Sequence, residues 1–504
     1  MYLPASPAEE AVAAELAVVR PELGTAYAAA LGGARAAVLT RLWRALACEP
    51  LPWIVGREAG AGGLAVLLAG GGRLEGPAPD PYATGAYVEE LLLDGKGYRQ
   101  AARLVAALKV PHGEEFAAEL DAGTASLALS RAGQPSPGRD TAAAATWEWE
   151  QRVVDGHPYH PNCRYRPGFS VAEELAYAPE HRPVVRLGLV AVRARECLVT
   201  GGWPAALRDG GRILLPVHPW QAEHVLGRER ARPGPAGHPL MALRTFAPVA
   251  GGPHVKTALS TRLTSSVRDI SGYSIETAAA VSAFAQTLSQ RLEGRLHITR
   301  TLGAVTAHSP DLAAVLREPP ETYADAAAGE RVVPVASLAS LPQARSAVWR
   351  GAFARLALSV CLRVLELGVA LEAHGQNLLV VLSPTGAPLR LVYRDLADIR
   401  ISPARLARHG LPVPPLSGRL VTDEVPALRR KLFGSLLTGA LAATAGSAGA
   451  FAEDLGVAAG LPATPDTEAL LTGPLPTKAL TLMRLSPAVP GDQWAELANP
   501  LAGA

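Results

Sequence analysis

Lysine is scarce in this 504-residue chain: of 48 basic residues only Lys96, Lys109, Lys256, Lys431 and Lys478 are lysine. A sequence so rich in Ala, Gly, Pro and Arg replaces lysine wherever it can, so a lysine that persists carries extra weight. Cysteine is rare too. Cys48, Cys163, Cys197 and Cys361 are scattered and form no C-x-x-C pair, which reads as free thiols of a reducing compartment rather than a disulfide framework. Net charge is nearly absent, at +2. That excludes nucleic-acid or membrane binding through a global field, and any anion site must be local. No apolar run reaches the roughly 18 residues of a membrane span. The opening "MYLPASPAEEAVAAEL" lacks the basic and apolar regions of a signal peptide, so a cytoplasmic location is expected. What the chain does have is apolar bulk, 49% of its residues. Its length exceeds what one core can organise, so two to four domains are expected.

Along the chain, Pro7 to about Leu46 shows helical spacing. "WIVGREAGAGGLAVLLAGGGRLEGPAP" reads as short strands joined by glycine turns; with no G-K-[ST] it is a hairpin rather than a phosphate loop. Helical patterns return from about Tyr82 to Leu129. "AGQPSPGRD" (Ala132–Asp140) reads as a boundary loop. The middle part, about 141–312, mixes strands ("RPVVRLGLVAVR", "GRILLPVHPW") with a loop at Glu229–Pro239 and a helix at "GYSIETAAAVSAFAQTLSQRL". The last part, from about 313, is expected to be mostly helical with one strand pair.

Three segments carry chemistry. In "HVKTALSTRLTSSVRDIS" (His254–Ser271), strand alternation puts Lys256, Ala258, Ser260, Arg262, Thr264, Ser266 and Arg268 on one face. Three cations interleaved with hydroxyls, and no acid before Asp269, suit a polyphosphate; a bulge near Thr264-Ser265-Ser266 would break the alternation. In "LEAHGQNLLVVL…YRDLADIR", a long helix runs into a polar loop, and a hairpin then leads to an aspartate. Kinases use this order, with a loop Asn and a later Asp at Mg²⁺. Asn377 and Asp395 take those positions here, and both offer oxygen ligands. Gln376 stands near the place of the kinase base, which argues against simple phosphorylation of an alcohol. The plain alternative for His374, Gln376 and Asn377 is a helix C-cap and turn, which Gly375 would suit. In "DGHPYHPNCRYRPGF" (Asp155–Phe169), His157 and His160 have metal-ligand spacing, but each precedes a proline, which favours extended backbone. A metal, a polar turn and an anion contact all remain open there. "VHPWQ" (Val217–Gln221) is another His-Pro. "LPTKALTLMRLS", with Lys478 and Arg484, reads as a C-terminal packing helix with snorkelling cations.

Together and in this order, "GHPYHPNCRYRPGF", "VHPWQ", "KTALSTRLTSSVRD", "EAHGQN", "YRD" and "PTKALTLMRL" closely resemble the NRPS-independent siderophore synthetases, the IucA/IucC (aerobactin synthetase-like) family. The resemblance covers roughly residues 140 to 490. It implies an α+β fold of three parts likened to a cupped hand. These are a thumb (1–140), fingers with an antiparallel sheet (141–312) and a mostly helical palm with kinase-like elements (313–504). It implies an ATP- and Mg²⁺-dependent ligase. A carboxylate of citrate or a related acid attacks the α-phosphate of ATP, pyrophosphate leaves, and an amine or hydroxyl then displaces AMP to give an amide or ester. The first nucleophile is already ionised, which accounts for the missing kinase base.

Carried over by resemblance, Lys256, Arg268 and His374 are the catalytic group. His157, Thr264, Ser265, Ser266, Gln376, Asn377 and Asp395 join Lys256 and Arg268 around the nucleotide. His157, Arg166, Arg268 and His374 contact the acid, and Asn377 and Asp395 hold the metal. His160, Glu372 and Lys478 are further candidates. The partners implied are small-molecule acids and amines or alcohols, without nucleic acid or membrane, in a possible homodimer. The chain departs from the family pattern at Arg164 (usually Lys), Asp269 (usually Thr) and Asp398 (more often Gly), which bears on substrate choice more than on ATP chemistry. The competing readings are a kinase-like phosphotransferase that makes ADP, and a non-catalytic binding protein on the same scaffold.

Overall fold

The structure, a computed structural model, describes residues 3–60, 62–135, 145–227, 231–264 and 266–503. The boundary expected at residue 140, and Ser265, lie outside these residues.

The chain opens on two helices. Ser6 caps Pro7–Val19 by accepting from Glu9 N, with proline in the first turn, a position where its missing N–H costs nothing. Gly24–Cys48 follows and buries Leu31, Leu39, Leu42 and Trp43 against the later helix Gly113–Ala132. Between them a five-stranded antiparallel meander runs from Ile54 to Tyr98. The helix expected from Tyr82 begins only at Ala101. Asp94 (φ 50°) and Gly95 (φ 78°) form a two-residue turn that pairs Leu93 with Lys96. Asp-Gly is the composition such hairpin turns demand, and this signal outweighs helical spacing over 82–98.

A nine-stranded antiparallel sheet forms the middle. Its central strands are Ala313–Arg317, His254–Thr257, Thr245–Pro248, Ala231–Pro239 and Val185–Arg193, in that order. The loop expected at Glu229–Pro239 is therefore largely a strand. Its prolines are accommodated by a break in register between Pro233 and Ala236, the kind of place where a sheet tolerates residues without an N–H. Helix Gly272–Gln290, capped by Ser271, lays Ile275 against Ala304 and Val315 of this sheet and against Ala258 just beyond it.

The expected continuous strand 254–268 is not continuous. His254–Thr257 belongs to the large sheet, whereas Leu259–Leu263 and Ser266–Arg268 form a separate hairpin turning at Thr264 (φ 56°). The cause is local. Ser260 N donates to Gln221 Oε1 at 2.8 Å and Ser260 Oγ to Asp311 Oδ1 at 2.5 Å, which draws this residue away from the line of Lys256. Arg262 points to solvent.

The last part holds more strand than expected. A four-stranded sheet, ordered Leu296–Ile298, Pro388–Tyr393, Leu378–Leu382, Arg331–Pro334, packs with helix Ala347–Leu367 in the largest core. That helix ends on Gly368 at φ 112°, where a side chain would meet Leu406 N at 2.9 Å. Near the C-terminus, Leu475–Lys478 is a strand paired with Trp494–Leu497, and only Leu480–Leu485 is helical. The packing helix expected there is thus half strand. No single helix among the described residues is long and apolar enough to cross a membrane.

Candidate active site

Three distant stretches of chain converge on one cleft of ≈ 960 Å³, within the range of small-molecule sites. The turn around His157, the hairpin tip around Thr264 with Arg268, and the loop Glu372–Asn377 with Asp395 all line it, joined by Lys256 and Lys478.

The cation-rich end is organised by Asp395. Its backbone is left-handed (φ 73°), an uncommon state for a residue other than glycine. Its carboxylate takes Lys256 Nζ at 2.7 Å and Arg317 Nη2 at 2.7 Å, one on each oxygen. These two cations hold the carboxyl well below its usual range against the opposing effect of burial. Burial pushes the Lys256 ammonium down to about 7, with Asp395 working against it. Arg244 reaches the same region through the carbonyls of Arg268 and Asp269. Arg268 spans its own hairpin, donating from Nε to Leu263 O at 3.1 Å and from Nη2 to Thr264 Oγ1 at 2.5 Å.

The loop after Ala347–Leu367 is built on backbone contacts. Gly375 lies so close to Ala336 that a Cβ would sit 2.9 Å from its nitrogen. Arg394 donates to Gln376 O at 3.0 and 2.8 Å and forms a buried bidentate pair with Glu150 at 2.7 and 3.0 Å. Asn377 Nδ2 donates to Glu372 O. Gln376 therefore contributes its carbonyl to holding the loop.

The histidines share one local device. His374 Nδ1 accepts from Gln376 N, His157 Nδ1 from Tyr159 N, and His218 Nδ1 from Trp220 N. Burial lowers the pKa of all three, so each imidazole is neutral. With Nδ1 accepting, the proton resides on Nε2. His157 is exposed to the cleft. His157 and His374 thus line the cleft as N–H donors, a chemistry that suits an anionic substrate. His218, fully buried, caps the turn Pro219–Gln221.

Two expected residues line the cleft but are held by protein partners or burial. Arg166 was expected to contact the acid. Its guanidinium is instead buried between Glu174 (2.9 Å) and Glu180 (2.6 Å), which also accept from Ser126 and Ser130 of the helix Gly113–Ala132. Arg164 closes the same turn by donating to Val153 O at 2.6 Å and Val154 O at 2.9 Å. His160 is buried, its pKa pushed down to about 3 by burial and nearby Arg41. Among the described residues no group of three or more His, Cys, Asp or Glu converges as a metal site.

At the far end, acids and lysines alternate. Lys431 Nζ sits 2.6 Å from Asp398 and 3.2 Å from Glu372, and Lys478 Nζ sits 3.3 Å from Glu372 and 3.1 Å from Asp492. Lys478, read as a snorkelling cation, belongs to the cleft. Arg244, Arg317, Lys431 and Asp492 were missed as cleft residues. Each stands alone among unremarkable neighbours in sequence, and only persisting lysine drew notice to Lys431.

Comparison with known proteins agrees with this architecture. Residues 145–340 match the model of the IucA / IucC family, and residues 347–487 match one described as a ferric iron reductase FhuF-like transporter. A citryl-spermidine/3,4-dihydroxybenzoyl-citryl-spermidine:spermidine ligase of Bacillus anthracis is 25% identical over 315 residues, 50% of this chain and 51% of the relative. The chain spans about half the length of the curated relatives it matches. Among solved structures, the petrobactin biosynthesis protein AsbB from Bacillus anthracis str. Sterne has a TM-score of 0.75 at 18% identity, covering 95% of this chain and 98% of that one. The ATP-bound aerobactin synthetase IucA from a hypervirulent pathotype of Klebsiella pneumoniae has a TM-score of 0.70 at 19% identity, covering 93% and 99%. At these identities the likeness establishes the fold, mixed helix and antiparallel sheet.

Proposed function

We propose that this chain, whose residues 145–340 match the IucA / IucC family model, is an ATP-dependent siderophore synthetase of that family. In this reading it activates a carboxylate of citrate or a related acid as an acyl-adenylate and joins it to an amine or hydroxyl. One observation carries the reading. Lys256 and Arg317 take the two oxygens of Asp395, and Arg244 and Arg268, with no carboxylate at ion-pair distance among the described residues, line the same cleft beside a loop that presents His374. That is a surplus of positive charge suited to a polyphosphate. The aerobactin synthetase of the same fold holds ATP, and a curated relative is named as a ligase of citryl-spermidine and spermidine.

The chemistry follows from charge. A carboxylate oxygen attacks the α-phosphorus, the bond to the β-phosphate oxygen breaks, and pyrophosphate leaves with its electron pair. Lys256 and Arg268 offset the charge that grows on the phosphates, the largest contribution such a site makes. In the second half, the amine or hydroxyl attacks the acyl carbon and AMP departs. His374 and His157 offer Nε2–H donors to the acid's oxygens. The nearby acid Glu372 is already shared between Lys431 and Lys478, which leaves little room for a kinase-type base.

Mg²⁺ fits as a phosphate-borne ion. Asp395 and Asn377 offer one carboxylate and one amide oxygen, the hard donors it takes alongside substrate phosphates, and they would hold it there. When bound, the ion would supply charge neutralisation on the phosphates.

Carboxylate-dependent ATP–pyrophosphate exchange is the test. Exchange that appears only with citrate or another polycarboxylic acid supports the synthetase. ADP formation without exchange would instead establish the phosphotransferase reading. Hydroxamate trapping across a panel of acids, then a screen of amines, identifies the substrates.

A further inference from the structure

The strand Ala313–Arg317 reads in sequence as an apolar strand that happens to end in a cation. In the structure it pairs antiparallel with His254–Thr257, with Lys256 opposite Val315 and His254 opposite Arg317. Side chains alternate across a sheet, so Lys256 and Arg317, two residues apart in register, leave by the same face. Each then meets one oxygen of Asp395 at 2.7 Å. Arg317 is 12% exposed. It lines the cleft and also a ≈ 20 Å³ cavity behind it. Arg244 and Arg268 stand in the same region, and among the described residues neither has a carboxylate partner within ion-pair distance.

Asp395 therefore bears two cations directly, while Arg244 and Arg268 stand nearby, within electrostatic reach of Asp269 and Glu372 as well as Asp395. A structural ion pair needs only one partner for Asp395, and Lys256 already supplies it. A second, fully charged partner on the adjacent strand overshoots neutrality at the place where an oligophosphate would lie. A guanidinium is also planar and carries five N–H donors, so it can keep one edge on Oδ1 of Asp395 and turn another to a phosphate oxygen. An ammonium can bridge too, but without the planar fork that fixes the direction of each bond.

We propose that Arg317 is a phosphate-binding residue, the second prong of a clamp with Lys256 on the nucleotide's oligophosphate. Asp395 holds both prongs in place until the ligand's own oxygens engage them. The inference rests on the nucleotide reading above and adds to it a residue that nothing in the sequence motifs assigns. The competing view is that Arg317 merely neutralises Asp395.

A double-mutant cycle separates the two. The probes are inorganic tripolyphosphate and ATP, titrated calorimetrically in metal-free buffer into the full chain. The proteins are wild type, Arg317→Met, Asp395→Asn, the double variant and Arg317→Lys, each first checked by circular dichroism and thermal melting. Arg317→Met is expected to weaken tripolyphosphate binding about tenfold or more, the usual loss for one charged hydrogen bond. Arg317→Lys should recover part of it. The loss should persist when Asp395 is already Asn. A loss that vanishes in the Asp395→Asn background, or wild-type affinity in Arg317→Met, overturns the proposal. Should Arg317→Met not fold, the same cycle is run with Arg317→Lys, whose weakening must likewise persist. Wild-type binding of tripolyphosphate without acid-dependent exchange would sink the synthetase reading and leave the clamp standing. Failure of the folded wild type to bind either ligand would sink the clamp.

Discussion

Arg268 hangs between the hairpin that carries it and the cleft it lines. Its fork is held by Leu263 O and Thr264 Oγ1, and both contacts depend on the turn at Thr264. A threonine at φ 56° is strained, because its branched Cβ crowds the following carbonyl; the site keeps that strain while using the hydroxyl as an acceptor for the arginine. Arg268→Ala is expected to lower acid-dependent pyrophosphate exchange by about 100-fold or more, the scale of losing one transition-state donor, with the melting temperature little changed. Arg268→Lys keeps a charge but cannot make both hydrogen bonds, so its exchange rate should fall between the two. Activity in Arg268→Ala at the wild-type level would remove it from the phosphate site. At this scale the sequence was readable where charge lacked its opposite. Lys256 and Arg268 stood out in a stretch without acids, and both line the cleft. Arg166 stood out equally, yet Glu174 and Glu180 fold back over it. Pairing of that kind depends on where a later helix returns, and no local pattern records it.

The loop Glu372–Asn377 works as a unit because its backbone is fastened at two adjacent residues, Gly375 and Gln376. Ala336 N donates to Gly375 O at 2.9 Å, and Arg394, held by Glu150, grips Gln376 O. Gly375→Ala would place a methyl 2.9 Å from Ala336 N and 3.0 Å from its Cα, and neither backbone atom can yield as a side chain could. The loop must move, carrying His374 and Asn377 with it. Displacements of about 1 Å in such positioning groups cost on the order of 100-fold in rate. We expect kcat/KM to fall by at least about tenfold, while the melting temperature drops by only a few degrees, since core overpacking typically costs about 1–3 kcal/mol. A Gly375→Ala enzyme with unchanged kcat/KM would show that the close approach to Ala336 does not set the loop. Severing the other fastening by Glu150→Gln leaves Arg394 buried with half its partner. That change should destabilise the fold by about 3 kcal/mol or more, read as a lowered melting temperature. At the element scale the order helix, polar loop, hairpin, aspartate was legible, because each piece has its own periodicity and turn. The strand 254–268 was not. Alternation predicts which way side chains point only while a strand stays in one sheet, and the contacts of Ser260 with Gln221 and Asp311 end that condition.

Across the whole molecule the two ends of the chain share a core. Ala479, Leu482, Leu485 and Ala495 pack with Leu16, Leu31, Leu42 and Trp43, so the segment that brings Lys478 to the cleft is seated on the N-terminal helices. The seat has a polar lock. Glu49, at the end of Gly24–Cys48, accepts from Leu482 N at 2.7 Å and from Thr481 N at 3.2 Å, satisfying the open end of a helix from more than 400 residues away. Neither end announces this in sequence, since a lone glutamate after an alanine-rich helix looks like any C-terminal flank. Burial raises the Glu49 carboxyl to about 7 from an ordinary 4.5, against the pull of the Leu482 and Thr481 N–H groups. The folded state therefore keeps a proton that the unfolded chain releases first. Between those two values folding binds the extra proton, and stability falls as pH rises through the window, by on the order of 3 kcal/mol at most. Below it both states are protonated and the contribution is intact; above about 7 it is gone. Glu49→Gln cannot ionise. Its melting temperature relative to wild type should rise steadily from about pH 5 to about pH 8, whatever its offset at the acidic end from the altered cap. Other carboxylates titrate in both proteins and cancel in the difference. A difference that stays flat across that range would mean that Glu49 is ionised throughout, and that the seat of Lys478 is held by charge across that range.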